Sequence, residues 1–218
     1  MDLQKLLTYV PALIDGCKIT VMLTVISVSV GMILGLFLAL GRISKNIFID
    51  GLCKVYIFVF RGSPLMMQIF FIYYALPLIY PAMNISDKFT AACIALSLNS
   101  AAYLAEIIRA AIQSIDKGQF EAAKALGMNY SLTMRRVVIP QSYRRLIPPV
   151  GNEFIAVIKD TALVSAIGLT DLMRITNQIQ VRNGDPWIYV PSLVIYLLLT
   201  TIFTFVFDKL EKKYSIYE

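Results

Sequence analysis

Long apolar runs separated by short polar segments dominate the pattern of this chain. The run from Ile19 to Gly41 has no charged residue, and about 20 apolar helical residues are enough to cross the hydrocarbon core of a membrane. The pattern therefore predicts an all-α membrane protein with five transmembrane helices in a single domain, residues 1–218. The predicted spans cover approximately residues 13–41, 51–80, 88–112, 146–169 and 186–208.

The second span is unusual, because the segment from Gly51 to Tyr80 is longer than one crossing needs and is interrupted by Arg61-Gly62-Ser63-Pro64. Pro and Gly together break the helical hydrogen-bond ladder. Broken backbone at membrane depth is tolerated only beside protein or a water-filled cavity. We therefore predict a broken helix that faces the interior of the assembly.

Two shorter spacings predict packing details. Gly31 and Gly35 form a G-x-x-x-G in the first span, which permits close helix packing, although glycines that are merely compatible with a span explain the pattern equally well. Glu106 and Arg109 lie three residues apart near the end of the third span. An ion pair on one helix face is expected there.

A polar and basic segment, residues 113–145, separates the third and fourth spans. Its first part, up to Leu126, is rich in good helix formers, and Gly127 is placed to end that helix in a left-handed conformation. Ser131 is then expected to N-cap a second short helix, which Pro140 ends. Two short helices with a glycine corner between membrane spans predict a docking surface for a soluble partner.

Composition narrows the class of protein. The chain is 58% hydrophobic and 16% charged, as expected of a membrane protein with several spans. A net charge of +6 would suit a nucleic-acid-binding protein. The basic residues, however, cluster between the spans and form no basic, aromatic groove, so no nucleic-acid partner is predicted.

The residues that are missing limit the chemistry. The chain has no His, which excludes Ser-His catalysis, His-ligated zinc and His proton relays. It has no Gly-Lys dipeptide and therefore no P-loop. We predict that the chain is not an enzyme and has no catalytic residue, metal or cofactor of its own. If ATP drives it, another chain hydrolyses the ATP.

The segment from Glu121 to Pro140 follows the pattern E-A-A-x3-G-x9-V-x-I-P. It resembles the cytoplasmic EAA loop, E-A-A-x3-G-x9-I-x-L-P, of ABC importer permeases, with Val137 and Ile139 in place of the usual Ile and Leu. The stretch RGSPLMMQIFFIYY, which begins at Arg61, resembles RGTPLLVQLFFIYY in permeases for polar amino acids. NEFIAVIKDTALVSAIG in the fourth span is similar to the corresponding stretch of those permeases. In all, the resemblance covers essentially residues 20–214.

The resemblance implies a type I importer in a bacterial cytoplasmic membrane. Two permease subunits, identical or closely related, would surround the substrate path, and a separate extracytoplasmic protein would deliver an amino acid. Two ATPase subunits, which would hold the ATP and Mg²⁺, would dock beneath the EAA helix. The predicted coupling residues are Glu121, Ala122, Ala123, Lys124, Leu126 and Gly127. If this loop is cytoplasmic, more than half of the 20 Lys and Arg residues lie inside, which predicts an external N-terminus and a cytoplasmic C-terminus.

The fourth span carries the expected substrate chemistry. Glu153 and Asp160 are seven residues apart, so they fall within about 20° of one helix face. Asn152 and Lys159 share a neighbouring face. Because each ionisable group at the bilayer centre costs roughly 2.5–3.5 kcal/mol, several in one span require a cavity or partners. The predicted substrate-binding residues are Arg61, Ser63, Asn99, Asn152, Glu153, Lys159 and Asp160.

Some alternatives remain open at this point. The charges can instead neutralise each other, Lys159 with Asp160 or Arg61 with Glu153. An ion-driven secondary transporter would use the fourth-span charges as its ion site, and a non-transporting scaffold would only recruit an ATPase. For a transporter of amino acids, the two carboxylates favour basic or amphoteric substrates such as arginine, lysine, histidine and cystine.

Overall fold

The computed structural model describes residues 3–215, and the predicted domain 1–218 also includes residues 1–2 and 216–218, which lie outside the described residues. Residues 3–215 contain no strand and are almost entirely helical. The α-helices of this part of the chain are α1 Leu3–Ile43, α2 Ile47–Gly62, α3 Leu65–Phe70, α4 Leu76–Ile79, α5 Lys88–Gln113, α6 Lys117–Ala125, α7 Tyr130–Thr133, α8 Ile139–Asp160, α9 Leu172–Asn183 and α10 Tyr189–Ser215.

Three of these helices, α1, α5 and α10, are long and apolar enough to cross a membrane, and α2 with α3 and α4 is a fourth candidate if the bent pair counts as one span. Although α8 has 22 residues, it is not among these candidates, since it carries many polar side chains. The five-span count therefore remains a prediction. Helices α5 and α8 nevertheless pack directly against each other.

Helices α1 and α5 pack closely against each other, and Gly31 and Gly35 of the G-x-x-x-G lie at this contact. A Cβ atom at Gly31 would lie 3.2 Å from the backbone nitrogen of Ala101, and one at Gly35 would lie 3.0 Å from the Ala101 oxygen. The two glycines thus allow the backbones to approach closely. Around this contact, Leu23 of α1, Leu96 of α5 and Ile69 of α3 are fully buried in the main hydrophobic cluster.

The predicted break in the second span is confirmed. Helix α2 ends at Gly62, Pro64 precedes α3, and the two parts are bent by 104°. A five-residue π-helix, Phe71–Ala75, then leads into α4. The chain turns through Pro81–Met83, a 3₁₀-helix, before α5 begins at its N-cap, Asp87.

Two expectations for the segment 113–145 are wrong. Asn129, and not Ser131, caps the second helix, its side-chain oxygen accepting from the Leu132 N–H at 2.9 Å. Pro140 does not end that helix, because α7 continues through a π-helix, Met134–Val138, directly into α8. The wider π turn precedes the proline, which relieves the clash that its ring would otherwise make with the preceding turn.

Helix α9 was not predicted. The 3₁₀-helix Thr161–Ile167 follows α8 and ends at Gly168, which has a φ of +78°. The buried carboxylate of Asp171 then caps α9 and accepts from the Arg174 N–H at 2.9 Å. The start of α9 packs on α1, where a Cβ atom at Gly16 would lie 2.8 Å from the Cα of Leu172.

Candidate functional site

The polar side chains predicted to bind substrate on α8 are Asn152, Glu153, Lys159 and Asp160, here called the polar stripe. Glu153 is the member of this stripe that contacts α5. The Glu153 carboxylate is half-buried and accepts a hydrogen bond of 2.9 Å from the Ser100 hydroxyl. Asp160 is also half-buried, one residue before the 3₁₀-helix, whereas Asn152 and Lys159 are exposed. The chain therefore holds one carboxylate firmly and leaves three polar side chains of this stripe available to a ligand or to another subunit.

The four ionisable groups of the predicted site do not form ion pairs with each other. None of the ion pairs among the described residues joins Lys159 to Asp160 or Arg61 to Glu153. The Arg61 guanidinium instead lies over the Tyr103 ring, 5.1 Å from its centroid. Glu153 interacts electrostatically with both Asp160 and Arg61. Within this chain, the alternative of mutual neutralisation by direct pairing is not realised.

Ser63 and Asn99 lie together at the break between α2 and α3. The Asn99 amide donates to the Phe60 carbonyl and to the Gln68 side-chain oxygen, both at 3.0 Å. The Gln68 amide donates to the Phe60 carbonyl at 2.9 Å and to the Ser63 hydroxyl at 2.9 Å. These bonds satisfy backbone carbonyl groups that the broken helix leaves without partners, as burial requires.

Ser63 and Asn99 therefore stabilise the break between α2 and α3. Their contact with substrate stays a prediction. Gln68, which the sequence pattern did not single out, connects them. A clue was present, since Gln68 is a lone amide in an otherwise apolar run. Polar residues inside a membrane segment seldom lack a partner.

A charged cluster joins the ends of α1, α2 and α5 next to the segment 113–145. The predicted Glu106–Arg109 pair is confirmed, with 2.6 Å between the carboxylate and the guanidinium. Arg42 of α1 lies 3.7 Å from Glu106 and also binds Asp50 of α2. Lys54 completes the cluster at 2.6 Å from Asp50. The cluster connects three helices near the predicted docking surface.

The predicted coupling residues lie in the second half of α6 and in the left-handed corner that follows it. Gly127 has a φ of +75°, as its position predicted. The Met128 N–H donates to the Ala123 carbonyl at 3.0 Å, and the Gly127 N–H donates to the Lys124 carbonyl at 2.9 Å. This is the Schellman arrangement of a helix C-terminus. Ala123 is buried, whereas the exposed members of the set are Glu121, Ala122, Lys124, Leu126 and Gly127.

Helix α6 is attached to the base of α8 by a hydrogen bond of 3.0 Å, which the Gln141 amide donates to the Gln119 side-chain oxygen. The Arg145 guanidinium of α8 donates to the carbonyl of Ser114, the C-cap of α5. Leu126, the C-cap of α6, is 81% exposed, so the end of α6 presents an apolar side chain on the surface of this chain.

Comparison with known proteins identifies the class. The model of the family described as "binding-protein-dependent transport system inner membrane component" matches residues 31–216. The chain belongs to this family, whose members are the permease subunits of ABC importers and work with ATPase and binding-protein partners.

Particular relatives are similar along nearly their whole length. The L-cystine transport system permease protein TcyB of Bacillus subtilis is 41% identical over 95% of this chain and 88% of its own. The arginine transport system permease protein ArtQ of Bacillus subtilis is 39% identical over 98% and 97%. The glutamine transport system permease protein GlnP of Escherichia coli K12 is 38% identical over 95% and 94%. These relatives are transport permeases and not enzymes.

Solved structures agree with this assignment. A crystal structure of an amino acid ABC transporter with histidines superimposes with a TM-score of 0.91, at 40% identity over 98% of this chain and 99% of that one. The MetNI methionine ABC transporter in an inward-facing conformation gives a TM-score of 0.83 at 20% identity, over 95% of this chain and 98% of that one. The second similarity concerns the fold alone.

Proposed function

We propose that this permease carries polar amino acids through an ATP-driven importer, with a preference for basic or amphoteric substrates such as arginine, lysine, histidine and cystine. The observation that carries the proposal is the unpaired acidic face of α8, where Ser100 orients Glu153 and Asp160 lies seven residues further on. Two carboxylates suit an α-ammonium group together with a cationic side chain. The substrates named for the relatives include cystine and arginine.

Transport would proceed by alternating access. In this proposal a separate ATPase, which holds ATP and Mg²⁺, docks on the exposed turn that ends at Gly127. Closure of the ATPase pair then displaces α6 and, through the Gln119–Gln141 contact, the base of α8. Coupling requires that the docking free energy differ between the two states of the permease.

The complete importer would contain two permease subunits, two ATPase subunits and an extracytoplasmic amino-acid-binding protein. It would lie in a bacterial cytoplasmic membrane with the N-terminus outside and the C-terminus in the cytoplasm. The exposed stripe of α8 that contains Asn152 and Lys159 would line the path or face the second permease subunit. Membership of the importer family argues against an ion-driven transporter and against a scaffold without transport.

The test is to neutralise each carboxylate with little change in shape. In Glu153→Gln and Asp160→Asn importers, assembly, basal ATP hydrolysis and amino-acid uptake are measured separately. Loss of one partner of a buried charged contact costs about 2–5 kcal/mol, which is tens- to thousands-fold in affinity. We expect uptake to fall by that range while assembly and basal hydrolysis persist.

Asp208→Asn is the matched control, because Asp208 is an exposed carboxylate near the end of α10 and should tolerate neutralisation. Uptake of cationic amino acids should decline before that of neutral ones if the carboxylates contact the side chain. Full uptake and an unchanged substrate preference in the assembled Glu153 and Asp160 variants would show that the acidic face is architectural.

A further inference from the structure

An open cavity of about 540 Å³ lies between α2, α5 and α8, on the side of the break that leads to the segment 113–145. Arg61, Tyr103, Glu106, Arg145 and Pro149 contribute to its lining. Of these residues, only Arg61 belongs to the predicted substrate site. The cavity is therefore distinct from the position at which Ser100 holds Glu153.

The cavity has an excess of positive charge. No carboxylate among the described residues forms an ion pair with Arg61 or Arg145. The Arg145 guanidinium donates to a backbone carbonyl, that of Ser114. Glu106 is the one acidic residue of the lining, and its carboxylate is already occupied by Arg109 and Arg42. Arg61 is within electrostatic range of Glu153 and Glu106, but neither carboxylate forms an ion pair with Arg61 or Arg145, so both guanidinium groups can accept a further carboxylate.

The cavity lies further along α5 and α8 from the Glu153–Ser100 contact. On α8, Glu153, Pro149 and Arg145 are spaced by four residues, so each is about 40° around the helix from the next. On α5, Ser100, Tyr103 and Glu106 are spaced by three residues, so each is about 60° from the next. Both series of residues lead from the Glu153–Ser100 contact to the cavity, and eight helical residues correspond to about 12 Å.

We propose that this cavity is a second station on the transport path, at which Arg61 and Arg145 receive the α-carboxylate of the amino acid after it leaves Glu153. The inference rests on the proposed function, and it adds Arg145 and Tyr103 to the residues that contact substrate. A guanidinium group can hold a carboxylate through two parallel hydrogen bonds. A single amino acid fits a cavity of this volume, and the neighbouring Tyr103 ring holds the Arg61 guanidinium in position.

The test measures the local charge directly, through the reactivity of a cysteine in the cavity wall. Ala110 is exposed and lines the cavity. Ala110→Cys is made in the assembled importer after Cys17, Cys53 and Cys93 are replaced by Ser. The labelling rates with an anionic and a cationic thiosulfonate reagent are then compared. Two unpaired cations nearby should favour the anionic reagent by about tenfold or more.

Charge variants show which residues cause that preference. We expect the preference to disappear in Arg61→Gln with Arg145→Gln and to persist in the Arg61→Lys, Arg145→Lys pair, which keeps the charge. Arg135→Gln is the matched control, because Arg135 is an exposed arginine outside the cavity lining. Equal labelling by the two reagents, or a preference that survives both glutamine substitutions, would overturn the proposal.

The ligand is tested with whichever of L-arginine, L-cystine and L-glutamine the importer takes up fastest, and with the carboxamide of the same amino acid. The amino acid should slow labelling of Cys at position 110, and the carboxamide should not. Equal protection by both would overturn a carboxylate station. Slower labelling in phosphatidylglycerol vesicles than in phosphatidylcholine vesicles, with no effect of the amino acid, would assign the cavity to a lipid headgroup. If neither these three amino acids nor L-lysine and L-histidine are taken up, the proposed function fails, whereas uptake without a charge preference at position 110 rejects this inference alone.

Discussion

At the scale of single residues, Gly127 is the position where the backbone conformation bears most directly on the proposed function. Its φ of +75° lies in the left-handed region, and nothing lies within 4 Å of the position that a Cβ atom would occupy. A side chain there would therefore strain the backbone without a clash inside this chain. Left-handed geometry costs a residue other than glycine roughly 1–2 kcal/mol, and more when it is β-branched.

We expect Gly127→Val to lower amino-acid uptake strongly and to uncouple it from ATP hydrolysis while the subunit still inserts, because the turn after α6 is distorted and its outer face is filled. Uptake and substrate-stimulated hydrolysis in reconstituted vesicles measure this. Gly51→Val is the control, since Gly51 also has open space around it but lies inside α2 without a positive φ. Normal uptake in Gly127→Val would remove this turn from the coupling mechanism.

Asp171 is a second position at which a single side chain affects a measurable property, the pH dependence of the stability of the fold. Burial raises the pKa of its carboxyl from 3.8 to about 6, although the N–H groups of Arg174 and Met173 and the charge of Arg174 act in the opposite direction. Tyr196 of α10 is also within electrostatic range. The folded state therefore binds a proton more tightly than the unfolded state, so the free energy of unfolding falls as the pH rises through 6.

Asp171→Asn should remove this penalty and keep the helix cap, because Asn is as good an N-cap as Asp. The variant should be more stable than the unmodified protein at pH 7.5, by on the order of 3 kcal/mol, and the difference should shrink as the pH falls through 6 and vanish below 3.8, where the carboxyl is protonated in both states. Thermal unfolding in detergent as a function of pH tests this. In the control Asp87→Asn no such gain is expected, because hydrogen bonds from Thr90 hold the pKa of the exposed Asp87 below its usual range.

At the scale of helices, the contact between α1 and α5 depends on the absence of side chains. A Cβ atom at Gly35 would lie 3.0 Å from both the Ala101 oxygen and the Leu104 Cβ atom, and 3.1 Å from the Ala105 nitrogen. Backbone atoms cannot move aside as a flexible side chain can. We expect Gly35→Ala to destabilise the subunit by about 1–3 kcal/mol, measured by thermal unfolding in detergent.

Gly51→Ala provides the comparison for Gly35→Ala. Both glycines lie inside helices, but a Cβ atom at Gly51 would meet nothing within 4 Å. Alanine is the better helix former by roughly 0.5–1 kcal/mol, so this variant should be neutral or slightly stabilised. If Gly35→Ala behaves in the same way, the close approach of α1 and α5 does not contribute to stability.

The helices also show what a sequence pattern can and cannot predict. The break after Arg61 and the corner at Gly127 follow from local backbone chemistry and were predicted. The continuation of α7 through Pro140 was not, because it depends on the π-helix Met134–Val138. The same arrangement occurs before Pro77, where Phe71–Ala75 is a π-helix. A proline stops a regular helix, but a preceding π turn makes room for it.

At the scale of the whole molecule, the residues of the candidate site were easier to predict from the sequence than the side chains that bind them. The seven-residue spacing of Glu153 and Asp160 is sufficient to place two carboxylates on one helix face. That spacing does not show that Ser100 binds Glu153 or that Gln68 ties Asn99 to the break. Those contacts join residues that are distant in sequence, and only the packing of α5 against α3 and α8 brings them together.

The orientation of the molecule in the membrane gives the last prediction. With the predicted spans, more than half of the 20 Lys and Arg residues lie on the same side of the membrane as the segment 113–145, and positively charged loops are retained on the cytoplasmic side. Ser44 lies at the turn between α1 and α2, and Ser86 lies just before α5. Both are exposed. Each is replaced separately by Cys in a variant whose native cysteines have been replaced by Ser. We expect a membrane-impermeant maleimide to label Ser86→Cys in intact cells and Ser44→Cys only after the cells are opened. Labelling of Ser44→Cys in intact cells, with Ser86→Cys protected, would invert the topology and place the predicted ATPase-docking turn on the wrong side of the membrane for ATP.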